Sequence, residues 1–353
     1  MKHYEARLQA DLNLIRHRVG ALAEGVRGAV SHAVNALIAR NPDAMYDVIL
    51  GDGAYNRETR GIDAACHAFV ARHVPAAGHL RFVSSVLRMT ISIERIGDYA
   101  VTICRVGVHL DKELSEQVVN DLTSLSDQVS KMLRVSTKAF LEGDAELARQ
   151  TKKLAKAIDV THDRILVDIL QGETGQSMHD VARLLTVFDK LERVSDQAKN
   201  ICEEVVFITT GETKVPKHYR LLFLDGSGAF HAPLAAALAS RAFPESGTYR
   251  CASLAPEEAY DPLLGELTNL VALNLSDESP QPLTPLAPSP AKYHVIVAIN
   301  VDEEALPNIP FHSILQKWQI DEPADLSGAK EVVNDLSANI QSLMEALRGP
   351  DAS

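Results

Sequence analysis

One string of residues occurs twice in this chain. Ile93-Glu94-Arg95-Ile96-Gly97-Asp98-Tyr99-Ala100 with Ile103-Cys104 matches Leu191-Glu192-Arg193-Val194-Ser195-Asp196-Gln197-Ala198 with Ile201-Cys202. Glu192 follows Glu94, and Cys202 follows Cys104, by the same 98 residues. An internal repeat of about one hundred residues means that whatever one copy folds into, the other must fold into as well.

Each copy has the pattern of three helices. Leu8, Leu12, Ile15, Val19, Leu22, Val26, Val30, Val34 and Leu37 recur at helical spacing between Tyr4 and Arg40. Asn41-Pro42-Asp43 ends that helix and caps the next, because Asn accepts from free first-turn N–H groups and Pro loses nothing there. A second helix is predicted over about Ala44 to His73, a turn over His73 to Gly78, and a third helix over about Leu80 to Leu110. In the second copy the helices cover Val118 to Glu142, Ala145 to Leu170 and Ser177 to Val206, with breaks at Gly143-Asp144 and Gly172 to Gly175. The expected fold is mainly α: two tandem three-helix bundles, over residues 1–112 and 113–214.

After Thr210-Gly211 the pattern changes. Arg220 to Leu224 and Tyr293 to Asn300 are near-continuous apolar runs, as in strands buried on both faces, and Val271 to Leu275 is a weaker third. Ser276 to Lys292 holds five prolines and is expected to be an exposed loop, and Asp325 to Leu347 is a closing amphipathic helix. Residues 217–350 should form a small α/β domain with a parallel sheet.

Charge and composition narrow the functional classes. The chain is 46% hydrophobic and 23% charged, as in a globular protein, and no apolar run approaches the roughly 18–20 residues that cross a bilayer. No secretory leader pattern begins it, and its four cysteines form no CxxC pair, which points to reduced thiols in the cytoplasm. Net charge is −12, of which residues 217–353 carry −10 (8 Lys/Arg against 18 Asp/Glu). Neither part has the basic stripe that nucleic acid requires.

The repeated carboxylates carry the functional signal. Residues four apart share a helix face, so Glu94 sits above Asp98 in line with Leu87, Ile91 and Val101, and Glu192 above Asp196 after Leu185 and Phe188. Like charges at this spacing cost roughly 0.2–0.5 kcal/mol, more if shielded from water. The same unfavourable pair in both copies asks for a cation, and oxygen donors suit magnesium, manganese or iron. Against this stands ordinary ion pairing on a solvated face, to Arg95, Arg193 or distant cations. His67, His73, His162 and His179 fall at scattered positions and are expected at the surface or core edge.

The strings Glu-Arg-Ile-Gly-Asp (94–98) and Glu-Arg-Val-Ser-Asp (192–196), each followed by Ala and Ile-Cys, resemble the signature of the PhoU family of phosphate-uptake regulators. The match extends to Asp52, Asn56 and Ile62-Asp63 and covers residues 1 to about 212. The resemblance implies two three-helix bundles that bind clusters of metal, often iron or zinc. It further implies negative regulation through a phosphate-specific ABC transporter and its sensor histidine kinase, at the inner membrane through those partners. The metal ligands would be Glu94, Asp98, Glu192 and Asp196, with Asp52 as a fifth. Ala155 stands where a second Asp52 would be, with Asp159 opposite Asn56, so the first site is expected to be the firmer. A homo-oligomer is compatible with this reading.

The strand at Arg220–Leu224, the loop Asp225-Gly226-Ser227-Gly228-Ala229-Phe230-His231 and a helix from Ala232 resemble the low-molecular-weight tyrosine phosphatase and arsenate reductase family. Val295 to Glu304 and Trp318 to Ala324 resemble its later segments. That family's loop reads Cys-x5-Arg-Ser. Here Asp225 stands at the nucleophile, His231 at the phosphate-clamping arginine and Glu322 at the general acid. A carboxylate opposes an incoming phosphate and His lacks the guanidinium fork, so no enzyme is expected. The alternatives are a phosphatase or arsenate reductase fused to a helical regulatory module, and a structural adaptor whose carboxylates bind nothing.

Overall fold

The computed structural model describes residues 2–171, 177–213, 216–275, 277–283, 293–306, 309, 313–349 and 352. The chain divides into two compact units, Met1–Lys214 and Val215–Ser353. The predicted breaks at Gly172 to Gly175 and most of the Ser276 to Lys292 loop lie outside the described residues.

The first unit is helical throughout. Its first copy consists of α1 (Lys2–Ile38), α2 (Pro42–His73) and α3 (Ala77–Gly107). Asn41 caps α2 as its sequence demands, its side-chain oxygen accepting from the Ala44 N–H at 3.1 Å, with Pro42 in the first turn. The second copy begins with α4 (Glu116–Glu142), capped by Ser115 and stopped by Gly143 in the left-handed region at φ 66°. It ends with α7 (Met178–Thr210), capped by Ser177.

Between α4 and α7 the expected single helix over Ala145 to Leu170 is broken. It forms α5 (Ala145–Lys152) and α6 (Ala155–Gln171), separated by a tightened turn. There the Lys153 N–H donates to the Gln150 carbonyl and the Leu154 N–H to Thr151, three residues back rather than four. No glycine or proline marks this break, and periodicity alone runs straight through it.

One apolar core serves both copies. Val26, Ile62, Ile93 and Ile96 of the first are buried in the same cluster as Leu122, Ile158, Leu191 and Val194 of the second. The third helices run antiparallel: Arg88 of α3 pairs with Glu204 of α7 at 2.7 Å, while Tyr99, further along α3, meets the earlier Gln197. The first helices also pack together. A Cβ on Gly20 of α1 would lie 2.8 Å from the tip of the Leu141 side chain of α4, so a larger residue there would require that side chain to shift.

The second unit is a parallel four-stranded sheet with strand order β2-β1-β3-β4, formed by β1 (Tyr219–Asp225), β2 (Gly247–Ser253), β3 (Val295–Ile299) and β4 (Ile314–Trp318). The apolar runs at β1 and β3 are the two central strands. The edge strands β2 and β4 escaped the sequence reading because their faces are mixed and β4 is largely exposed. Val271 to Leu275 is not a strand. Asp261 caps and Pro262 opens a helix, α9 (Pro262–Val271), which ends in left-handed Ala272. Helices α8 (His231–Ala242), α9 and α10 (Leu326–Arg348) contribute to the core on one face, with Leu221, Phe223, Val295 and Val297. Leu222, Leu224 and Ile296 face a smaller cluster on the other.

Candidate functional site

The carboxylates of the first copy gather where α2 crosses α3. Asp52 reaches α3 at Gly97, whose position leaves 3.4 Å between a built Cβ and Asp52 Oδ1. Asp52 Oδ2 accepts from Asn56 Nδ2 at 2.7 Å. Asp52 Oδ1 and Asn56 Oδ1 are buried with no hydrogen-bond partner. Asp98 is exposed, yet partial desolvation raises its carboxyl above the ordinary range, the nearby Asp52 charge raises it further, and Arg105 opposes both. Glu94 is half-buried one turn earlier on α3 and makes no hydrogen bond or ion pair among the described residues. Ile91, placed by periodicity on the apolar stripe, is half-exposed, so this pair lies at the rim of the core. Further along, Asp63 accepts from the Thr90 hydroxyl at 3.2 Å.

The second cluster is more crowded. Desolvation, then the charges of Asp196, Asp159 and Asp189 in that order, push the Glu192 carboxyl up to about 7. Asp159 of α6 is itself raised by burial and by Asp196, with Lys199 acting the other way. The ordinary ion-pair reading finds no partner here. Arg193 turns to Asp189 at 3.4 Å, and no Lys or Arg among the described residues forms an ion pair with Glu94, Asp98, Glu192 or Asp196. Asp159, standing opposite Asn56 by repeat position, is the third acid of this cluster. The Ser195 hydroxyl, buried and unpartnered, was not singled out from sequence, although the repeat sets it at the Gly97 position.

The donors are all oxygen, which suits a hard cation. Two buried, unpartnered oxygens in the first copy, and mutual repulsion among three acids in the second, are what a cation would relieve. Among the described residues no group of three or more His, Cys, Asp or Glu side chains is placed to hold a metal ion.

Two acids outside these clusters have structural work. Asp180, fully buried, accepts from the backbone N–H groups of Asp111 (3.1 Å) and Lys112 (3.2 Å) and from Arg183 (3.0 Å). Burial alone would raise its carboxyl, but these donors together hold it below the usual range. Asp11 accepts from Arg72 and lies 2.8 Å from Nε2 of His73, which is buried rather than at the surface or core edge. The thiols of Cys66, Cys104 and Cys202 are pushed by burial to about 12, which leaves them without thiolate character.

In the second unit the loop after β1 is closed around its own carboxylate. Asp225 Oδ1 accepts from the Gly228 N–H at 2.6 Å and Oδ2 from the Ala232 N–H at 2.9 Å. Burial raises the Asp225 carboxyl and these two donors counter it. Above the loop, a Cβ on left-handed Gly228 would lie 2.9 Å from Ser253 and 3.0 Å from Pro280. His231 Nε2 lies 3.1 Å from the Asp321 carbonyl, and its Nδ1 lies 3.7 Å from Glu322. An internal anion thus occupies N–H groups that could otherwise hold a bound one.

Comparison with known proteins bears on the first unit. The PhoU domain matches residues 19–106 and again 122–205. A Pseudomonas putida protein, "Phosphate-specific transport system accessory protein PhoU homolog", is 32% identical over 212 residues, 59% of this chain and 83% of that protein. The crystal structure of PhoU from Pseudomonas aeruginosa aligns with a TM-score of 0.54 and 30% identity over 58% of this chain and 99% of that one. The duplicated bundle and its twin acidic strings therefore define a phosphate-transport accessory class. The chain belongs to the PhoU family. For the C-terminal region, an arsenate reductase from Archaeoglobus fulgidus aligns at 21% identity and a TM-score of 0.30, covering 35% of this chain and 97% of that one. Among the described residues no helix is long and apolar enough to cross a membrane.

Proposed function

We propose that this protein is an accessory regulator of a phosphate transport system, restraining uptake and phosphate-responsive signalling from the cytoplasmic side. Its targets would be a phosphate-specific ABC transporter and the associated sensor histidine kinase, reached by binding rather than turnover. The observation that carries this reading is the duplicated acidic cluster, whose Glu94, Asp98, Glu192 and Asp196 form no ion pair with Lys or Arg among the described residues, on a chain 32% identical to a phosphate-specific transport accessory protein. Asp52, Glu94 and Asp98 would hold one cation, and Glu192, Asp196 and Asp159 another. The cation would supply positive charge at a rim otherwise dominated by carboxylates, where a partner's acidic or phosphate group can meet it. The greater crowding around Glu192 favours the second cluster as the firmer site, the reverse of the order suggested by Asp52.

Two measurements test this. Protein purified from phosphate-replete cells should co-purify with components of the transporter and the kinase. Elemental analysis should find iron, zinc, manganese or magnesium in the wild type and a marked loss in Glu94→Ala/Glu192→Ala. Unchanged metal content in that variant sinks the metal assignment, and absence of both partners sinks the regulatory one.

The second unit is proposed to be non-catalytic, because the Asp225 carboxylate fills its own loop. Full-length protein should not turn over an aryl phosphate. Robust turnover would favour the alternative of a phosphatase or reductase fused to a regulatory module.

A further inference from the structure

The break between α5 and α6 opens a cleft that the carboxylate sites do not explain. It has a volume of about 460 Å³ and is lined by Arg149, Lys152, Lys153, Lys156 and Lys199, with Ala155 and Asp159. Five cations converge there in a chain whose net charge is −12. Two are already engaged: Arg149 pairs with Glu212 and Lys152 with Glu203, both at 2.7 Å. The side chains of Lys153 and Lys156 make no hydrogen bond or ion pair among the described residues, and Lys199 opposes the charge of Asp159. Setting aside the two pairs, three ammonium groups stand against one carboxylate among the lining side chains, with Asp196 beside that carboxylate.

We infer that this cleft binds a short inorganic polyphosphate chain, through Lys153, Lys156 and Lys199. Ammonium groups act as strongly hydrated point charges and suit phosphate oxygens without demanding a planar fork. A concave wall concentrates their field more than a convex helix surface does. A single orthophosphate would fill only a small part of this volume. A nucleotide is disfavoured because no aromatic side chain lines the cleft to stack on a base. The first turn of α6, whose backbone N–H groups point towards negative charge, opens beside the cleft and adds to the preference for an anion.

The geometry is available because Lys153 lies in the turn rather than within a helix. The break also leaves Lys199 of α7 beside them.

The test is calorimetric titration of the full chain with sodium triphosphate, orthophosphate and ATP, in buffer containing EDTA so that cation sites are silent. Triphosphate should bind at least ten-fold more tightly than orthophosphate, and ATP no more tightly than triphosphate. Lys153→Ala/Lys156→Ala/Lys199→Ala should weaken triphosphate binding at least ten-fold. The matching triple arginine variant should stay within about three-fold of wild type, as should Lys131→Ala, an exposed lysine on α4. Absence of triphosphate binding, equal binding of orthophosphate, or a triple alanine variant that binds like wild type each overturn the proposal. ATP binding ten-fold tighter than triphosphate overturns the inorganic ligand in favour of a nucleotide.

Discussion

Tyr99 and Gln197 occupy the same position in the two repeats, and their polar ends meet, Gln197 Nε2 lying 3.5 Å from the Tyr99 hydroxyl. Contact between equivalent positions is the signature of a two-fold relation, here between two copies within one chain. It places α3 and α7 back to back and turns their acidic faces outward to different neighbours, Asp98 towards α2 and Glu192 towards α6. The two acidic clusters therefore face different helices.

The crowding around Glu192 predicts a pH dependence of unusual sign for a carboxylate. Its folded-state pKa of about 7 lies above the ordinary Glu value near 4.3, so between these limits the folded protein keeps a proton that the unfolded chain releases. Stability from this group is present below about pH 4.3 and is lost as pH rises through about 7. Metal-free wild type should lose a few degrees of Tm between pH 5 and 7.5 relative to Glu192→Gln, and manganese should restore them at pH 7.5. Parallel curves for the two proteins would count against the cluster.

Asp180 behaves in the opposite sense. Its depressed pKa stabilises the fold above the ordinary Asp value near 3.9 and is lost as pH falls through the folded value. Asp180→Ala strands the N–H groups of Asp111 and Lys112 and should cost about 2–4 kcal/mol. Chemical denaturation of the variant checks this, and a cost under about 0.5 kcal/mol would show that the linker between the repeats is anchored elsewhere.

Gly97 offers a test of the approach of α2 to α3. A methyl there would sit 3.4 Å from Asp52 Oδ1 and 3.7 Å from Val26, ordinary contact distances. Gly97→Ala should therefore be neutral or stabilising by up to about 1 kcal/mol through helix propensity. Gly97→Leu should displace Asp52 and destabilise by about 1–3 kcal/mol. Comparable Tm values for the two variants would mean that Asp52 is not held against α3.

In the second unit, Asp225→Ala removes the acceptor for two loop N–H groups and should destabilise that unit by about 2–4 kcal/mol. Hydrogen exchange at Gly228 and Ala232 should accelerate in this variant while the α3 amides stay protected. Unchanged exchange at both amides would remove the internal-anion account of the loop.

Helix α9 and the division of α5 from α6 were not legible in the order of residues; the helical pattern of both repeats, the caps at Asn41, Ser115 and Ser177, the central strands β1 and β3 and the paired acids were. Each is a local matter: a side chain three positions from an N–H, an apolar residue every third or fourth place, or a run buried on both faces. The repeat added the one non-local inference, that both copies share a fold. What only the tertiary structure decided depends on contact between distant segments. It broke the helix at Lys153 with no glycine or proline to announce it, moved Ile91 out to the rim, and buried Asp180 under the linker. It made Asp159 the third acid beside Glu192 and Asp196, and closed the Asp225 loop on itself. Electrostatic neighbours and hydrogen-bond partners are set by packing, which brings Asp111 to Asp180 across 69 positions of sequence and Asp159 to Glu192 across 33.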